Sequence, residues 1–395
     1  MNKPSLSSVL TFILMLIPLE GCNETPAPKN SGSGYPDGIC GPADPATGGP
    51  PERLVVITEK HGSGGGVTVI DIDTMETRIN VALTHDDATA RWYDEKIWII
   101  NRFGADNITI LDGSDFSLLK QFSVKIDANT PCNPHDIAFL DRCKLYVTCH
   151  EQPFMLIVNP QEDVGHEIIG HVDLSSLADD DGIPEMSHMK ATDDGVWVTI
   201  GRMRRNHGWI PDENAYLALI DIHTDTLVDT ILLEGTNPLG PIRAFDNGRK
   251  LVVSTAGDWS GHNAGLEVVD TVSGEASIAL SSTELEGIVS AFTLDDSLCG
   301  HAVITAPTSF ETAVNRFCLE PANVTPCISR NTLLATDVAV TSSAQLIVTD
   351  RASHPAGVRF YNAIDCAPIN ADPISTGFPP GFTTPLLLIP KSTKP

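Results

Sequence analysis

One apolar motif returns seven times along this chain of 395 residues. Each copy is a short apolar run that stops at a small hydroxyl or amide side chain. The copies are separated by 43, 47, 51, 55, 51 and 44 residues. That period is too long for helical repeats of about 33–34 residues and accommodates four short strands in each unit. The terminal residues of the seven copies are Thr58, Asn101, Thr148, Thr199, Ser254, Thr305 and Thr349.

The residues around each copy predict the remaining strands of the unit. An apolar strand precedes the run, and tight-turn sequences such as "DDG" at 193–195 and "DNG" at 246–248 join the two. A strand after the run ends at Asp or Asn in most units, for example Asp71, and this residue type starts a turn by bonding its own backbone. No stretch between the copies has the periodicity of an amphipathic helix, so the chain is predicted to be almost entirely β.

Seven four-stranded units predict an all-β fold, a seven-bladed β-propeller with four-stranded blades. The first unit lacks its innermost strand, while a spare apolar segment, "GFTTPLLLIP" at 381–390, follows the last unit. We predict that this C-terminal strand completes blade one, which closes the ring and leaves no open sheet edge. The propeller would then span residues 53–390, with a short tail at 391–395.

The segment "LYVTC" at 145–149 is a near copy of the tetrapeptide that names the YVTN-type propeller repeats. The chain resembles that family over roughly residues 53–390, and the resemblance implies the seven-bladed architecture. It implies no particular activity, because the family includes surface-layer and periplasmic proteins of varied role.

Residues 1–22 resemble a bacterial lipoprotein signal peptide. Lys3 precedes an apolar stretch too short to span a bilayer, and "LEGC" at 19–22 resembles a lipobox. The resemblance implies that Cys22 becomes a lipidated N-terminus that anchors the protein to a membrane. Asn23, where inner-membrane lipoproteins carry Asp, favours the outer membrane without indicating which side. The alternative is an ordinary signal peptide with a chance cysteine.

Residues 23–52 are rich in Pro, Gly and Ser and predict a flexible tether. Beyond Cys22 the chain has eight cysteines, and an even number in an exported chain favours disulfides. Cys318 and Cys327 flank a short segment of unit six, while Cys132 and Cys149 would lie near one another in unit three. We predict both pairs as disulfides.

The most cationic and aromatic stretch, "GRMRRNHGW" at 201–209, lies in the longest loop between a second and a third strand. The next longest such loop, "AGDWSGHNAG" at 256–265, belongs to the neighbouring blade. A propeller carries these loops on one side, which we call the loop face, and long loops on a rigid scaffold commonly bind ligands. The alternative is a surface loop whose arginines pair with acids such as Asp212 and Glu213. The residues predicted to hold a small anionic or aromatic ligand, or an envelope protein, are Arg202, Arg204, Arg205, His207, Trp209, Trp259 and His262.

Histidines and aspartates near the innermost strands define a second candidate site. His188 holds the position in its unit that Asp136 and Asp337 hold in theirs. If these side chains converge on the channel axis, they could bind a divalent metal or perform acid–base chemistry. No HxH or HxxxH spacing supplies a local ligand pair, so the alternative is a scatter of hydrogen-bonded histidines. The metal candidates are His85, His135, Asp136, His150, His188 and Asp337.

The net charge and the absence of several catalytic motifs limit the classes of function that the sequence supports. The chain has 25 Lys and Arg against 51 Asp and Glu, a formal charge of −26, which argues against a nucleic-acid partner. The sequence has no P-loop, GxSxG elbow or HExxH motif. We therefore predict a monomeric, lipid-anchored binding module rather than an enzyme. The alternatives are a channel-centred metal-dependent lyase or lactonase, and a protein that binds or delivers a transition metal through a histidine ring.

Overall fold

The computed structural model describes residues 40–42, 51–127 and 130–391. The predicted signal peptide, Cys22, most of the tether and residues 392–395 of the tail lie outside these residues. Seven four-stranded antiparallel sheets form a seven-bladed propeller with almost no helix, which confirms the predicted fold class. A four-residue helix, α1 (Ser282–Leu285), is capped by Ser281. The described part of the chain contains no helix with the length and hydropathy needed to cross a bilayer.

Four strands stack from the channel outwards in every blade. From the innermost to the outermost, blade one contains β30 (Leu386–Pro390), β1 (Pro51–Glu59), β2 (Gly65–Asp71) and β3 (Thr77–Thr84). Blade two contains β4 (Ala88–Tyr93), β5 (Lys96–Asn101), β6 (Asn107–Asp112) and β7 (Leu118–Ser123). Blade three contains β8 (Pro134–Phe139), β9 (Leu145–Cys149), β10 (Phe154–Val158) and β11 (Ile168–Asp173). Blade four contains β12 (Met186–Thr192), β13 (Gly195–Ile200), β16 (Tyr216–Asp221) and β17 (Thr226–Leu232).

The remaining blades follow the same order. Blade five contains β18 (Arg243–Phe245), β19 (Lys250–Thr255), β20 (Gly265–Asp270) and β21 (Glu275–Ser281). Blade six contains β22 (Ile288–Phe292), β23 (Cys299–Thr305), β24 (Thr312–Leu319) and β25 (Ala322–Ile328). Blade seven contains β26 (Val338–Val340), β27 (Gln345–Asp350), β28 (Gly357–Asn362) and β29 (Ile374–Ser375). Two further short strands, β14 (Met203–Arg204) and β15 (Ile210–Pro211), form a hairpin outside the blades.

The terminal residue of the repeated motif has a structural role beside the innermost strand. The Thr148 hydroxyl accepts a hydrogen bond from the Asp136 amide at 2.8 Å, and the Thr199 hydroxyl accepts one from the His188 amide at 2.9 Å. The inner strand of blade three shifts register beside Asp136. The hydroxyl therefore satisfies an amide that the irregular ladder leaves without a strand partner. The same bond, from the Asp337 amide to the Thr349 hydroxyl, occurs in blade seven, so the hydroxyl at the end of the apolar run has this role in three of the blades.

The C-terminal strand closes the ring as predicted. β30 pairs with β1 in antiparallel register, with Leu54 opposite Leu388 and Val56 opposite Leu386. The apolar core lies between neighbouring blades; Trp197 of blade four, for example, is 1% exposed and packs in one cluster with Val253 of blade five. Each blade is therefore stabilised mainly by the apolar faces of its two neighbours.

The described residues contain four disulfides: Cys40–Cys143, Cys132–Cys149, Cys299–Cys318 and Cys327–Cys366. The predicted Cys132–Cys149 bridge is confirmed. The predicted Cys318–Cys327 bridge is wrong, because strand register places Cys318 directly opposite Cys299, with 4.0 Å between their Cα atoms. Cys327 instead bonds Cys366 of blade seven. Cys40, which falls in the predicted tether, is bonded to blade three.

Candidate functional site

The arginine-rich stretch forms a hairpin on the loop face. β14 and β15 pair with each other, and a short 3₁₀ turn at Arg205–His207 joins them. This hairpin lies within the connection between β13 and β16 of blade four. The Trp259 indole of blade five donates a hydrogen bond to the Trp209 carbonyl at 3.4 Å. The two longest loops are therefore in contact, as the sequence predicted.

Two of the three arginines on this hairpin share one carboxylate. Arg202 Nη2 lies 2.9 Å from Asp212 Oδ2, and Arg204 Nη2 lies 2.7 Å from Asp212 Oδ1. This is the pairing with Asp212 that the alternative interpretation of the loop expected. Glu213, the other acid named there, receives no arginine among the described residues.

Arg205 is committed to acids outside the hairpin. Its Nε lies 2.7 Å from Glu185 Oε1, its Nη1 pairs with Glu151, and its Nη2 donates to the His150 carbonyl at 2.7 Å. The guanidinium also lies 4.8 Å from the Trp209 ring centre. Burial opposes ionisation of Glu151, but the contacts with His150 and Arg205 outweigh it and lower the pKa of Glu151 to about 2. Arg205 therefore clamps the hairpin to blade three instead of presenting a free charge.

The aromatic residues of the hairpin remain accessible. Trp209 is 43% exposed and Trp259 is 46% exposed, and His207 and His262 are exposed beside them. The loop face consists of residues 60–64, 102–106, 150–153, 201–215, 256–264, 306–311 and 351–356, together with the connections between blades. Every exposed Phe or Trp among the described residues lies there: Phe103, Trp209, Trp259, Phe310 and Phe382.

Two of the predicted metal ligands stack on each other near this face. The rings of His135 and His150 are 4.2 Å apart and nearly parallel. His135 Nε2 accepts from Arg102 at 2.7 Å, and His135 Nδ1 donates to the Ser187 hydroxyl at 3.1 Å. Burial, followed by the charge of Arg102, lowers the pKa of His135 well below its usual value. His135 is therefore a neutral ring with both nitrogens engaged.

His188 and Asp136 lie beside each other on adjacent inner strands. His188 Nε2 donates to the Leu239 carbonyl at 3.0 Å, and its Nδ1 lies 3.8 Å from Asp136 Oδ2. Asp136 also accepts from Arg91 Nε at 2.7 Å and from the Met189 amide at 2.9 Å. Burial opposes ionisation of Asp136, but Arg91 and His188 outweigh it and lower its pKa to about 2. The ionised Asp136 carboxylate of blade three therefore bonds both Arg91 of blade two and Met189 of blade four.

The remaining metal candidates lie elsewhere. Asp337 accepts from the Val338 amide at 2.8 Å and from the Leu386 amide at 3.0 Å, and burial raises its pKa to about 6. His85 Nδ1 accepts from the Asp87 amide at 3.2 Å. The six candidates do not form one cluster: among the described residues, the one group of three with ligand atoms within 4.8 Å of one another is His301, Cys327 and Cys366.

Two cations that the sequence analysis did not single out occupy the channel wall. Lys190 lies opposite Trp197, and Arg243 lies opposite Val252. Trp197 and Val252 are each two residues before the end of the repeated motif in their blade. The other five blades have small or apolar residues at the same position on the inner strand. These residues are Leu386, Ala90, Ala138, Ala291 and Ala339. An alignment of the seven inner strands would have revealed the two exceptions.

Neither cation forms a salt bridge. Among the described residues, no carboxylate oxygen lies within 4.0 Å of Lys190 or Arg243. The Arg243 guanidinium donates to the Phe292 carbonyl at 3.3 Å and interacts electrostatically with Asp337 and Arg91, which lie on inner strands across the ring. Burial among these strands lowers the pKa of Arg243, and burial together with Arg243 lowers the pKa of Lys190. Blades four and five thus present to the channel two adjacent cations that form no salt bridge.

Comparisons with known proteins support the architecture. No protein-family model matches the chain, and no curated protein matches it. A protein from Lactobacillus plantarum is similar in structure, with a TM-score of 0.58 and 12% identity over 85% of this chain and 99% of that one. A proposed 6-phosphogluconolactonase from Bacteroides uniformis has a TM-score of 0.57 and 10% identity over 85% of this chain and 99% of that one. One from Bacteroides fragilis has a TM-score of 0.55 and 10% identity, covering 88% and 100%.

These likenesses define the chain as a seven-bladed β-propeller. At identities of 10–12% they establish the fold alone and assign no activity. Membership of the YVTN-type repeat family stays a prediction.

Proposed function

We propose that this chain is a binding protein whose central channel holds a small anionic ligand. One observation carries the proposal: Lys190 and Arg243 stand on adjacent inner strands and interact with each other, and among the described residues no carboxylate oxygen lies within 4.0 Å of either. Two like charges close together repel each other, and a bound anion would relieve that repulsion. In a chain with a formal charge of −26, such a concentration of positive charge fits a specific anion site better than general solubility.

The chemistry of the two side chains narrows the ligand class. A guanidinium binds carboxylate or phosphate through two parallel hydrogen bonds, and an ammonium adds a compact point charge beside it. A small phosphate or dicarboxylate suits this pair. The exposed aromatic rings on the loop face, including Trp209 and Trp259, would contact any ring or apolar portion of the same ligand. The hairpin arginines are less suited to this role because they already form ion pairs with Asp212, Glu151 and Glu185.

Calorimetry on the full chain with inorganic phosphate and with succinate tests the ligand proposal. We expect binding that weakens at least about tenfold in Lys190→Ala and in Arg243→Ala, with a smaller dependence on salt. Lys125→Ala, which removes an exposed lysine far from the inner strands, is the matched control and should bind as the wild type does. Equal binding by the wild type and the Lys190→Ala/Arg243→Ala double variant would reject the channel site. If the wild type binds neither phosphate nor succinate, the proposed ligand class is rejected.

We also propose that lipidated Cys22 anchors the protein to the outer membrane. The lipobox-like "LEGC" at 19–22 and the following Asn23 support this placement. Labelled palmitate should be incorporated into the wild type and lost in Cys22→Ala, and an Asn23→Asp variant should shift to the inner-membrane fraction. Labelling that persists in Cys22→Ala would contradict the anchor.

A further inference from the structure

A buried histidine lies beside the disulfide that joins blades six and seven. His301, on β23, is 5% exposed, and neither of its ring nitrogens has a hydrogen-bond partner. The backbone of Ala363 approaches the ring, but not with the geometry of a hydrogen bond. Buried polar groups are nearly always bonded, so an imidazole with both nitrogens unsatisfied calls for an explanation.

The two sulfur atoms of the disulfide supply that explanation. The sulfurs of Cys327 and Cys366 and a ring nitrogen of His301 all lie within 4.8 Å of one another. In a tetrahedral zinc site, ligand atoms at about 2.0–2.3 Å from the metal stand about 3.4–3.8 Å apart. Small side-chain movements would therefore bring the three ligand atoms to a common Zn²⁺. While the sulfurs are bonded to each other, neither is the thiolate that a metal requires.

We propose that His301, Cys327 and Cys366 form a zinc site that is closed by the disulfide and opened by reduction. A dithiol gives two electrons and two protons to the disulfide and becomes a disulfide itself, which leaves two cysteine thiols. Zn²⁺ then replaces the two thiol protons, which pass to the solvent. The neutral His301 ring contributes its lone pair, and water completes the tetrahedron.

The position of the cluster suits a cross-link with two alternative forms. Cys327 lies on β25, the outermost strand of blade six, and Cys366 lies in the connection between β28 and β29 of blade seven. Both residues are half-buried, so a reductant can reach the sulfurs, whereas the ring of His301 is enclosed. The metal would hold the same two blades together after the covalent link is lost. Among the described residues, none of the other three disulfides has a third ligand of this kind at hand.

Cobalt binding to the full chain tests the site, because thiolate coordination gives Co²⁺ a charge-transfer band in the near ultraviolet. We expect one equivalent of Co²⁺ to bind with this band after phosphine reduction and none before it, and Zn²⁺ to displace the cobalt. His301→Gln and Cys327→Ser/Cys366→Ser should weaken binding by at least about tenfold. Cys299→Ser/Cys318→Ser removes the other disulfide of blade six and should bind as the wild type does.

Two measurements keep the test decisive if a variant folds poorly. Near-ultraviolet circular dichroism reports folding of each variant, and alkylation of the reduced wild-type thiols blocks the ligands without any substitution. The proposal is overturned if the reduced wild type lacks the thiolate band, or if His301→Gln binds cobalt as tightly as the wild type. It is equally overturned if alkylation leaves the band unchanged.

Discussion

The Asp337 carboxylate accepts a hydrogen bond from the Leu386 amide at 3.0 Å and thereby joins blade seven to the closing strand of blade one. Asp136 makes the same kind of link between blades three and four, to the Met189 amide at 2.9 Å. Each carboxylate also accepts a hydrogen bond at 2.8 Å from the backbone amide of the next residue, which is Ile137 after Asp136 and Val338 after Asp337. Both aspartates therefore hold adjacent inner strands in place.

Asp337→Asn should destabilise the ring at its closure. The amide can accept from only one of the two backbone N–H groups, so the other is left buried and unpaired, which costs about 1–3 kcal/mol. Urea unfolding should show this loss in the free energy of unfolding. Asp194→Asn, at an exposed turn, is the control and should change stability by less than about 0.5 kcal/mol. Equal stability of the two variants would contradict the linking role.

Arg205→Ala should loosen the hairpin and change the response to acid. Glu151 would lose its cation, and Glu185 and the His150 carbonyl would each lose a charged hydrogen-bond donor, so we expect a loss of about 1–3 kcal/mol at pH 7. The folded-state pKa of Glu151 is lowered to about 2 from 4.5, so its contribution is present above pH 4.5 and is lost as the pH falls toward 2. Unfolding free energies measured across this range should fall less steeply in the variant.

Arg204→Ala is the matched control for that experiment. Arg204 is 40% exposed, and Arg202 would still neutralise Asp212. The loss should stay below about 1 kcal/mol. If Arg204→Ala is as damaging as Arg205→Ala, the clamp to blade three is not what stabilises the hairpin.

Glu267→Gln should remove a loss of stability that occurs as the pH rises toward 7. The Glu267 carboxylate accepts hydrogen bonds from the amides of Glu234 and Gly235, which lower its pKa. Burial outweighs these bonds and raises the pKa to about 7. Because the folded-state pKa lies above the unfolded value of 4.5, stability falls as the pH rises from 4.5 to about 7 and levels off above that. Relative to wild type, the variant should gain about 1–3 kcal/mol between pH 5 and pH 8. Glu275→Gln, at an exposed position, should show no such gain.

Lys190→Met should stabilise the unliganded protein. It removes one of two adjacent like charges that form no salt bridge, and we expect a gain of about 0.5–1 kcal/mol at low salt that shrinks as salt is added. Thermal unfolding at two ionic strengths measures this difference, and Lys125→Met serves as the exposed control. A loss of stability in Lys190→Met would show that the lysine supports the fold rather than a ligand.

The repeated motif was sufficient to predict the blades, the closing strand and the contact between the two long loops. It succeeded because the marker residue falls at the same place in every sheet, the end of the second strand, where Thr148 and Thr199 bond the neighbouring inner strand. The Cys318–Cys327 prediction failed because nearness along the chain was used where strand register decides the partner. Cys299 and Cys318 are opposed across a ladder that only the structure fixes.

The candidate site was harder to predict than the fold. The arginines of the hairpin were expected to be free to bind a ligand because the acids that pair with Arg205 lie outside its loop. These acids are Glu151 and Glu185, and both come well before Arg205 in the sequence. Lys190 and Arg243 belong to no local motif, and their neighbourhood depends on two inner strands standing side by side in the ring. Long-range charge pairing of this kind has no signature in a single sequence.

The pairing of β1 with β30 also sets an order of events in time. Leu54 is synthesised early, yet its strand partner Leu388 follows only after the whole of blades two to seven. Blades two to seven can each assemble from contiguous chain, whereas blade one must wait with an unpaired edge. Because pairing between distant segments is slow, this delay is the interval in which the nascent chain is most exposed to aggregation. A chaperone that covers the edge of β1 would protect the chain until β1 pairs with β30.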